Sequence, residues 1–313
     1  MFKKSYWKFI KRFVILTVVL YFLSFELAIG QASLKEQEIE KYKQALLLDP
    51  NNANLYYNWG LVLGELGRYQ EALDKYQKAT DLKPQFDTAY YNWGLVLGKL
   101  GRHSEAIEKY QKAVEINPQY TLAYSNWGAV LVSLGRSQDA LEKFKKAVAI
   151  NPKFDLAYYN WGGALGNLGR YEEATKKYQK VIEINPKNYS AYYNWGLALA
   201  NLKKYNEAIA KYEKAVELNP KMAEAYYSWS GALFNLNRSQ EALEKCQKAV
   251  QLRPNYAKAY VNWGLVLWDV GQMDAAEEKF NKAKAIFVKQ GAKEDIQYVD
   301  DLLKQLEAKM PKR

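Results

Sequence analysis

Ala53–Phe86 reads ANLYYNWGLVLGELGRYQEALDKYQKATDLKPQF, and the next stretch, Asp87–Tyr120, repeats much of it letter for letter. Outward from that pair, Pro50, Pro84, Pro118, Pro152, Pro186, Pro220 and Pro254 recur every 34 residues. Trp59, Trp93, Trp127, Trp161, Trp195, Trp229 and Trp263 keep the same interval. A domain with one core does not repeat its punctuation in this way. The period implies a stack of small similar units, with function on a long surface rather than in one pocket.

Numbered from one within each repeat, position four is always Tyr, seven always Trp and eleven always Leu. Position eight is Gly except at Ser230, and position twenty is always Ala, from Ala72 to Ala276. Position twenty-four is Tyr or Phe except at Cys246, and position thirty-two is Pro except at Val288. In the first repeat, Tyr56, Trp59, Gly60 and Leu63 fall at i, i+3, i+4 and i+7, on one helical face. Ala72, Tyr76 and Ala79 repeat that pattern on a second helix. Gly60 and Ala72 are small enough to let the two helices approach closely. Gly67 suits the left-handed residue that ends the first helix, and Pro84 ends the second. Two helices of about three turns cannot bury a tryptophan alone, so repeats must stack. Each Trp buried in this way removes roughly 150–250 Å² from water, about 4–6 kcal/mol at most.

These positions resemble the tetratricopeptide repeat (TPR) family, whose unit is a 34-residue helix–turn–helix. The resemblance implies an all-α solenoid, a right-handed superhelix of such units. It covers residues 53–290 as seven repeats, with residues 33–52 as a preceding half repeat that keeps Tyr42, Ala45 and Pro50 in register. The family's commonest pattern has Trp at four and Leu at seven. Here Tyr stands at four and Trp at seven, which makes Trp the expected core aromatic. Residues 291–313 read as a capping helix, with Ile296, Val299, Leu303 and Leu306 as its apolar stripe. Position fifteen is Gly in five repeats but Lys203 and Asn237 in the fifth and sixth, so the fifth turn is expected to carry the most strain.

Catalytic chemistry finds no foothold. The single cysteine, Cys246, excludes an intrachain disulfide and stands where other repeats place an aromatic, as a buried filler. His103 is the only histidine and reads as a solvated turn residue. No phosphate-binding loop, nucleophile elbow or zinc-protease string occurs. We therefore expect no enzyme activity, no metal and no cofactor. The formal charge of +11 thins to barely one excess base per repeat, with acids interleaved, which argues against nucleic acid as the partner. Lys75, Lys109 and Lys211 follow Glu71, Glu105 and Glu207 by four residues, the pattern of a solvated helix face.

The N-terminus differs. Lys3, Lys4, Lys8, Lys11 and Arg12 precede an uncharged run, FVILTVVLYFLSF, from Phe13 to Phe25. Residues 1–32 read either as a cleavable secretory signal or as an uncleaved membrane anchor. Both readings place the repeats on the extracytoplasmic side, secreted or membrane-associated.

In the family resembled, positions two, five, six, nine, twelve and thirteen of the first helices line a concave surface. Position six is Asn58, Asn92, Asn126, Asn160, Asn194 and Asn262; position five is Tyr57, Tyr91, Tyr159, Tyr193 and Tyr227. The Asn column resembles the asparagine ladder of the repeats in the glycosyltransferase that attaches N-acetylglucosamine to serine and threonine. An amide both donates and accepts, so such a column can hold extended peptide backbone. The same Asn could instead be structural, tying one helix to the next. Position thirteen varies, and a family clamp for C-terminal carboxylates is missing: Lys258 is the only base at position two. The chain is expected to bind protein or peptide segments as a non-catalytic scaffold, with a self-associating structural element or an assembly factor for a membrane complex as the alternative.

Overall fold

The computed structural model describes Gly30 and residues 32–309, which are helical and turn-linked throughout, with no strand among them. Helix α1 (32–48) precedes the repeats. Paired helices follow: α2 (Ala53–Glu65) and α3 (Tyr69–Leu82), α4 (Asp87–Lys99) and α5 (His103–Ile116), α6 (Thr121–Ser133) and α7 (Ser137–Ile150), α8 (Asp155–Asn167) and α9 (Tyr171–Ile184). The series continues with α10 (Tyr189–Asn201) and α11 (Tyr205–Leu218), α12 (Ala223–Asn235) and α13 (Ser239–Leu252), α14 (Ala257–Asp269) and α15 (Met273–Gln290), and ends at α16 (Lys293–Glu307). The chain forms two compact units, one up to Val130 and one from Leu131. The basic-apolar segment, residues 1–29, lies outside the described residues. Among those described, no helix is long and apolar enough to cross a membrane.

Position eight explains how each pair closes. A Cβ on Gly60 would stand 2.7 Å from Tyr76 Cε1; on Gly94 it would stand 2.7 Å from Tyr110, and on Gly196 2.5 Å from Tyr212. The glycine is therefore a socket for the ring at position twenty-four. Tyr76, Tyr110 and Tyr212 are fully buried in it. The sixth repeat changes both partners at once: Ser230 replaces the glycine and Cys246 replaces the ring. Both are 0% exposed, so a smaller side chain opposite makes room for the larger one beside it. Burial pushes the Cys246 thiol up to about 11, which keeps it protonated and inert.

Tryptophan is not the innermost aromatic. Each described Trp at position seven is half-buried, because the glycine socket admits the ring from the second helix instead. What covers the indole is the lysine at position twenty-three. Lys75 Nζ lies 4.1 Å from the Trp59 ring centre, Lys109 3.9 Å from Trp93, Lys177 3.6 Å from Trp161 and Lys211 3.9 Å from Trp195. This corrects the solvated-face reading of these lysines. Their acids turn elsewhere: Glu71 takes both Arg68 Nε at 2.7 Å and Nη2 at 2.6 Å, and Glu105 takes Arg102 in the same way. Burial lowers the Lys177 pKa, a sign that the ammonium over the ring is partly desolvated. A cation–π contact of this kind contributes about 0.5–2 kcal/mol.

The turns follow the glycine reading. Gly67 has φ of 75°; the N–H of Arg68 donates to Leu63 O at 2.9 Å and that of Gly67 to Gly64 O at 3.3 Å, which satisfies two carbonyls at the helix end. Lys203 and Asn237 adopt the same left-handed conformation at φ of 59° and 58°. His103 is not a turn residue: it opens α5 and is half-buried, because Arg102 already serves as the N-cap. At the end of the chain, Val299, Leu302 and Leu306 of α16 join the core formed with Phe280, Ile286 and Phe287, which covers the last repeat.

Two outcomes follow for stability. Gly94 and Gly98 lie one turn apart on α4, yet a Cβ on Gly98 would meet nothing within 4 Å. Gly98→Ala should stabilise by about 0.5–1 kcal/mol, whereas Gly94→Ala should destabilise by about 1–3 kcal/mol. Combining Gly94→Ser with Tyr110→Cys, the pair found in the sixth repeat, should cost less than the two single changes added together; strict additivity in chemical denaturation would refute the socket. Lys203→Gly should raise stability by up to about 1 kcal/mol, and a lower melting temperature would show that the turn holds no strain.

Candidate functional site

The columns at positions five and six are brought together across repeat boundaries. Within a repeat, the ring at five rests on the buried ring at twenty-four: centroids are 6.2 Å apart for Tyr57 and Tyr76, 6.1 Å for Tyr91 and Tyr110, and 6.1 Å for Tyr193 and Tyr212. The phenol then reaches the next repeat. Asn92 Nδ2 donates to Tyr57 Oη at 3.1 Å, Asn126 to Tyr91 at 2.9 Å and Asn194 to Tyr159 at 2.8 Å. Asn92 Nδ2 also donates to Thr88 O at 2.9 Å. Burial pushes the Tyr91 and Tyr159 phenols up, opposed by the bonds from Asn126 and Asn194, so at neutral pH each phenol stays protonated and accepts the amide.

The later repeats vary this tie. Tyr193 Oη and Ser228 Oγ are 3.5 Å apart. Asn262 Nδ2 donates to Ser230 Oγ at 2.8 Å, and Ser230 Oγ in turn donates to Tyr227 O at 2.7 Å. The Ser at position eight thus provides the acceptor that a phenol provides elsewhere. Asn58 and Asn160 are half-buried on α2 and α8 and make no side-chain hydrogen bond among the described residues. The amide nitrogens of the Asn column are therefore largely engaged in joining repeats, while the Oδ1 atoms of Asn92, Asn126, Asn194 and Asn262 have no described donor.

Clefts in the second compact unit show which residues face open space. One lies between α8 and α10 and is lined by Gly163, Gly166, Asn167, Tyr171, Asn194, Leu197 and Asn201. The next, between α10 and α12, is lined by Leu197, Ala200, Asn201, Tyr205, Tyr227, Ser228, Gly231, Asn235 and Asn262. These are equivalent positions one repeat apart, and the two share Leu197 and Asn201. No lining residue of either cleft carries a charge. Of the residues anticipated from sequence, Asn194, Asn262 and Tyr227 are present.

Position thirteen is among the concave positions named from sequence, but Asn167, Asn201 and Asn235 there were not singled out as binding residues, and Tyr171 and Tyr205 at seventeen were not anticipated. The signal was there in part: three consecutive repeats carry Asn at thirteen, a run hidden by the charged residues at that position in other repeats. Asn201 Nδ2 donates to Leu197 O at 2.9 Å and Asn235 Nδ2 to Gly231 O at 2.8 Å. Each amide is held by its own helix, and its Oδ1 has no described donor.

Comparison with known proteins agrees with this architecture. Residues 36–67, 60–101, 128–169 and 164–203 match the profile described as TPR repeat. Residues 88–120, and 193–257 with 232–288, match profiles described as tetratricopeptide repeat. No curated protein sequence matches the chain. Among solved structures, YrrB, described as a TPR protein with an unusual peptide-binding site, is similar at 27% identity and TM-score 0.54, over 61% of this chain and 98% of its own. A MamA structure from Desulfovibrio magneticus RS-1 is 28% identical with TM-score 0.52, over 54% of this chain and 96% of its own. A tetratricopeptide repeat protein from Parabacteroides merdae, at 19% identity and TM-score 0.61 over 79% of this chain and 98% of its own, shares the fold. With matches running through nearly all of its repeats, the chain belongs to the tetratricopeptide repeat family.

Proposed function

We propose that this protein is a non-catalytic scaffold that holds an extended segment of a partner protein in the clefts between successive first helices. The observation that carries this is the repetition of one uncharged, amide-lined cleft over α8, α10 and α12. An extended backbone offers alternating N–H and C=O groups. The Oδ1 atoms of Asn167, Asn201 and Asn235 can accept from its N–H groups, while the glycines at Gly163 and Gly231 leave room for the chain to approach. The peptide-binding site named for YrrB, at 27% identity, supports the same reading. Positions five and six contribute differently: their tyrosines and asparagines set the spacing of the clefts by joining repeats, and Asn194 and Asn262 also offer Oδ1 to the segment.

Substitution separates the two roles. Asn201→Ala with Asn235→Ala should weaken an uncharged extended peptide by roughly 0.5–1.5 kcal/mol per lost hydrogen bond, measured by calorimetry, with little change in melting temperature. Asn194→Ala should instead lower stability, and a double-mutant cycle with Tyr159→Phe should show a coupling of the same size. Unaltered peptide affinity in the first variant would remove the clefts from the binding account.

Residues 1–32 direct the repeats out of the cytoplasm in this proposal, on the strength of the basic flank and the apolar run. A reporter active only outside the cytoplasm, fused after Arg313, should be active in the intact chain and silent when residues 13–25 are deleted. A full-length product in the membrane fraction would mark an anchor; a soluble product beginning near residue 31 or 33 would mark cleavage.

A further inference from the structure

The last repeat breaks the pattern that fills the space behind position five. In the first, second and sixth repeats that space holds a tyrosine ring tilted against an aromatic at position thirty-four: Tyr57 against Phe86 at 4.9 Å, Tyr91 against Tyr120 at 4.9 Å and Tyr227 against Tyr256 at 5.2 Å. The third, fourth and fifth keep one of the two rings, with Phe154, Tyr159 and Tyr193. In the seventh repeat position five is Val261 and position thirty-four is Gln290. Helix α15 also runs to 18 residues, against 14 in α13, because Val288 stands where proline ends the other second helices. The added turn is closed by left-handed Gly291, and α16 begins at Lys293. Two rings are missing, and a cavity of about 200 Å³ remains.

Its floor is apolar: Val261 and Phe287 are 8% and 3% exposed, with Leu265 beside them. Tyr227 and Tyr298 form the sides, and Lys258 and Asp295 complete the lining. Neither charged group has an ion-pair partner among the described residues, so the charged part of the lining is adapted to water rather than to closure. Tyr227 and Asn262 also line the cleft between α10 and α12, which places the cavity next to the proposed peptide path.

We propose that this cavity is the anchor of that path, taking one apolar side chain of leucine or phenylalanine size from the bound segment. The volume is below the roughly 300–1,000 Å³ of pockets for drug-sized ligands and suits a single side chain. The inference rests on the groove reading for its ligand, but the cavity can be probed without it. The control is Val261→Tyr, which restores the tyrosine found at position five in five other repeats and should fill the cavity without unfolding the chain.

The probes are fluorescein-labelled ten-residue peptides of Ser, Thr, Asn and Gly carrying one central Leu, Phe or Ala, together with N-acetyl-leucinamide. The Leu and Phe peptides should bind about tenfold tighter than the Ala peptide or better, and Val261→Tyr should erase that preference while leaving the Ala peptide unchanged. N-acetyl-leucinamide should shift the methyl resonances of Val261 and Leu265 in the native chain, and should shift that of Leu265 no longer in Val261→Tyr. Equal affinity for bound Leu and Ala peptides, or methyls unmoved by N-acetyl-leucinamide, would overturn the anchor. Shifted methyls with no peptide binding at all would support the cavity as an apolar side-chain site and overturn the groove reading instead.

Discussion

One contact organises most of the repeats: a glycine on the first helix pressed against an aromatic ring from the second. Only the absence of a side chain at position eight admits the ring, since an added Cβ would stand 2.5–2.7 Å from its carbons at Gly60, Gly94, Gly162, Gly196 and Gly264. The seated ring supports the tyrosine at position five, and the tyrosine hydroxyl takes the amide of the next repeat. Contact within one hairpin therefore fixes the register between hairpins. The sixth repeat tests this logic, because it replaces glycine and ring together and redirects Asn262 to Ser230 Oγ. Two positions change in concert where one alone would leave a clash, and Asn262, unchanged, takes the new acceptor.

The tryptophans illustrate how a constant residue can be misjudged from its constancy. Size and periodicity assign Trp to the core, but the socket is already occupied by the ring at twenty-four. The indole is left half covered, and a lysine stem and ammonium complete the cover. Because that lysine also sits four residues after an acid, its helical spacing alone suggests a surface ion pair. Only the packing decides between carboxylate and ring. The acid's preference for the guanidinium three residues before it, bidentate in Arg68–Glu71 and Arg102–Glu105, leaves the lysine free for the indole.

The fold was legible because its determinants are local and repeated: glycine at the turn, proline after the second helix, apolar positions at helical spacing. Even the left-handed Lys203 and Asn237 could be read from the glycines they replace. The candidate site was less legible. Whether Asn92 or Asn194 faces a ligand or a neighbouring phenol depends on the offset between helices in different repeats, which no single repeat encodes. His103 reads from sequence as a turn residue, yet Arg102 serves as the N-cap and the helix begins at His103.

Cleft chemistry follows from the same division of labour. Positions five and six are engaged in joining repeats, so in the proposed function variation that tunes recognition falls to positions nine, thirteen and seventeen. There the second compact unit holds Gly163, Leu197 and Gly231, then Asn167, Asn201 and Asn235, then Tyr171 and Tyr205. A charged side chain entering these clefts would lose water and meet no counter-charge, a desolvation cost without compensation. Main-chain amides and small neutral side chains meet acceptors instead. Exposed charge pairs such as Lys112–Glu115 and Lys180–Glu183 lie on second helices, where they contribute little to stability. In the proposed function the uncharged clefts would select by omission, rejecting what they cannot neutralise.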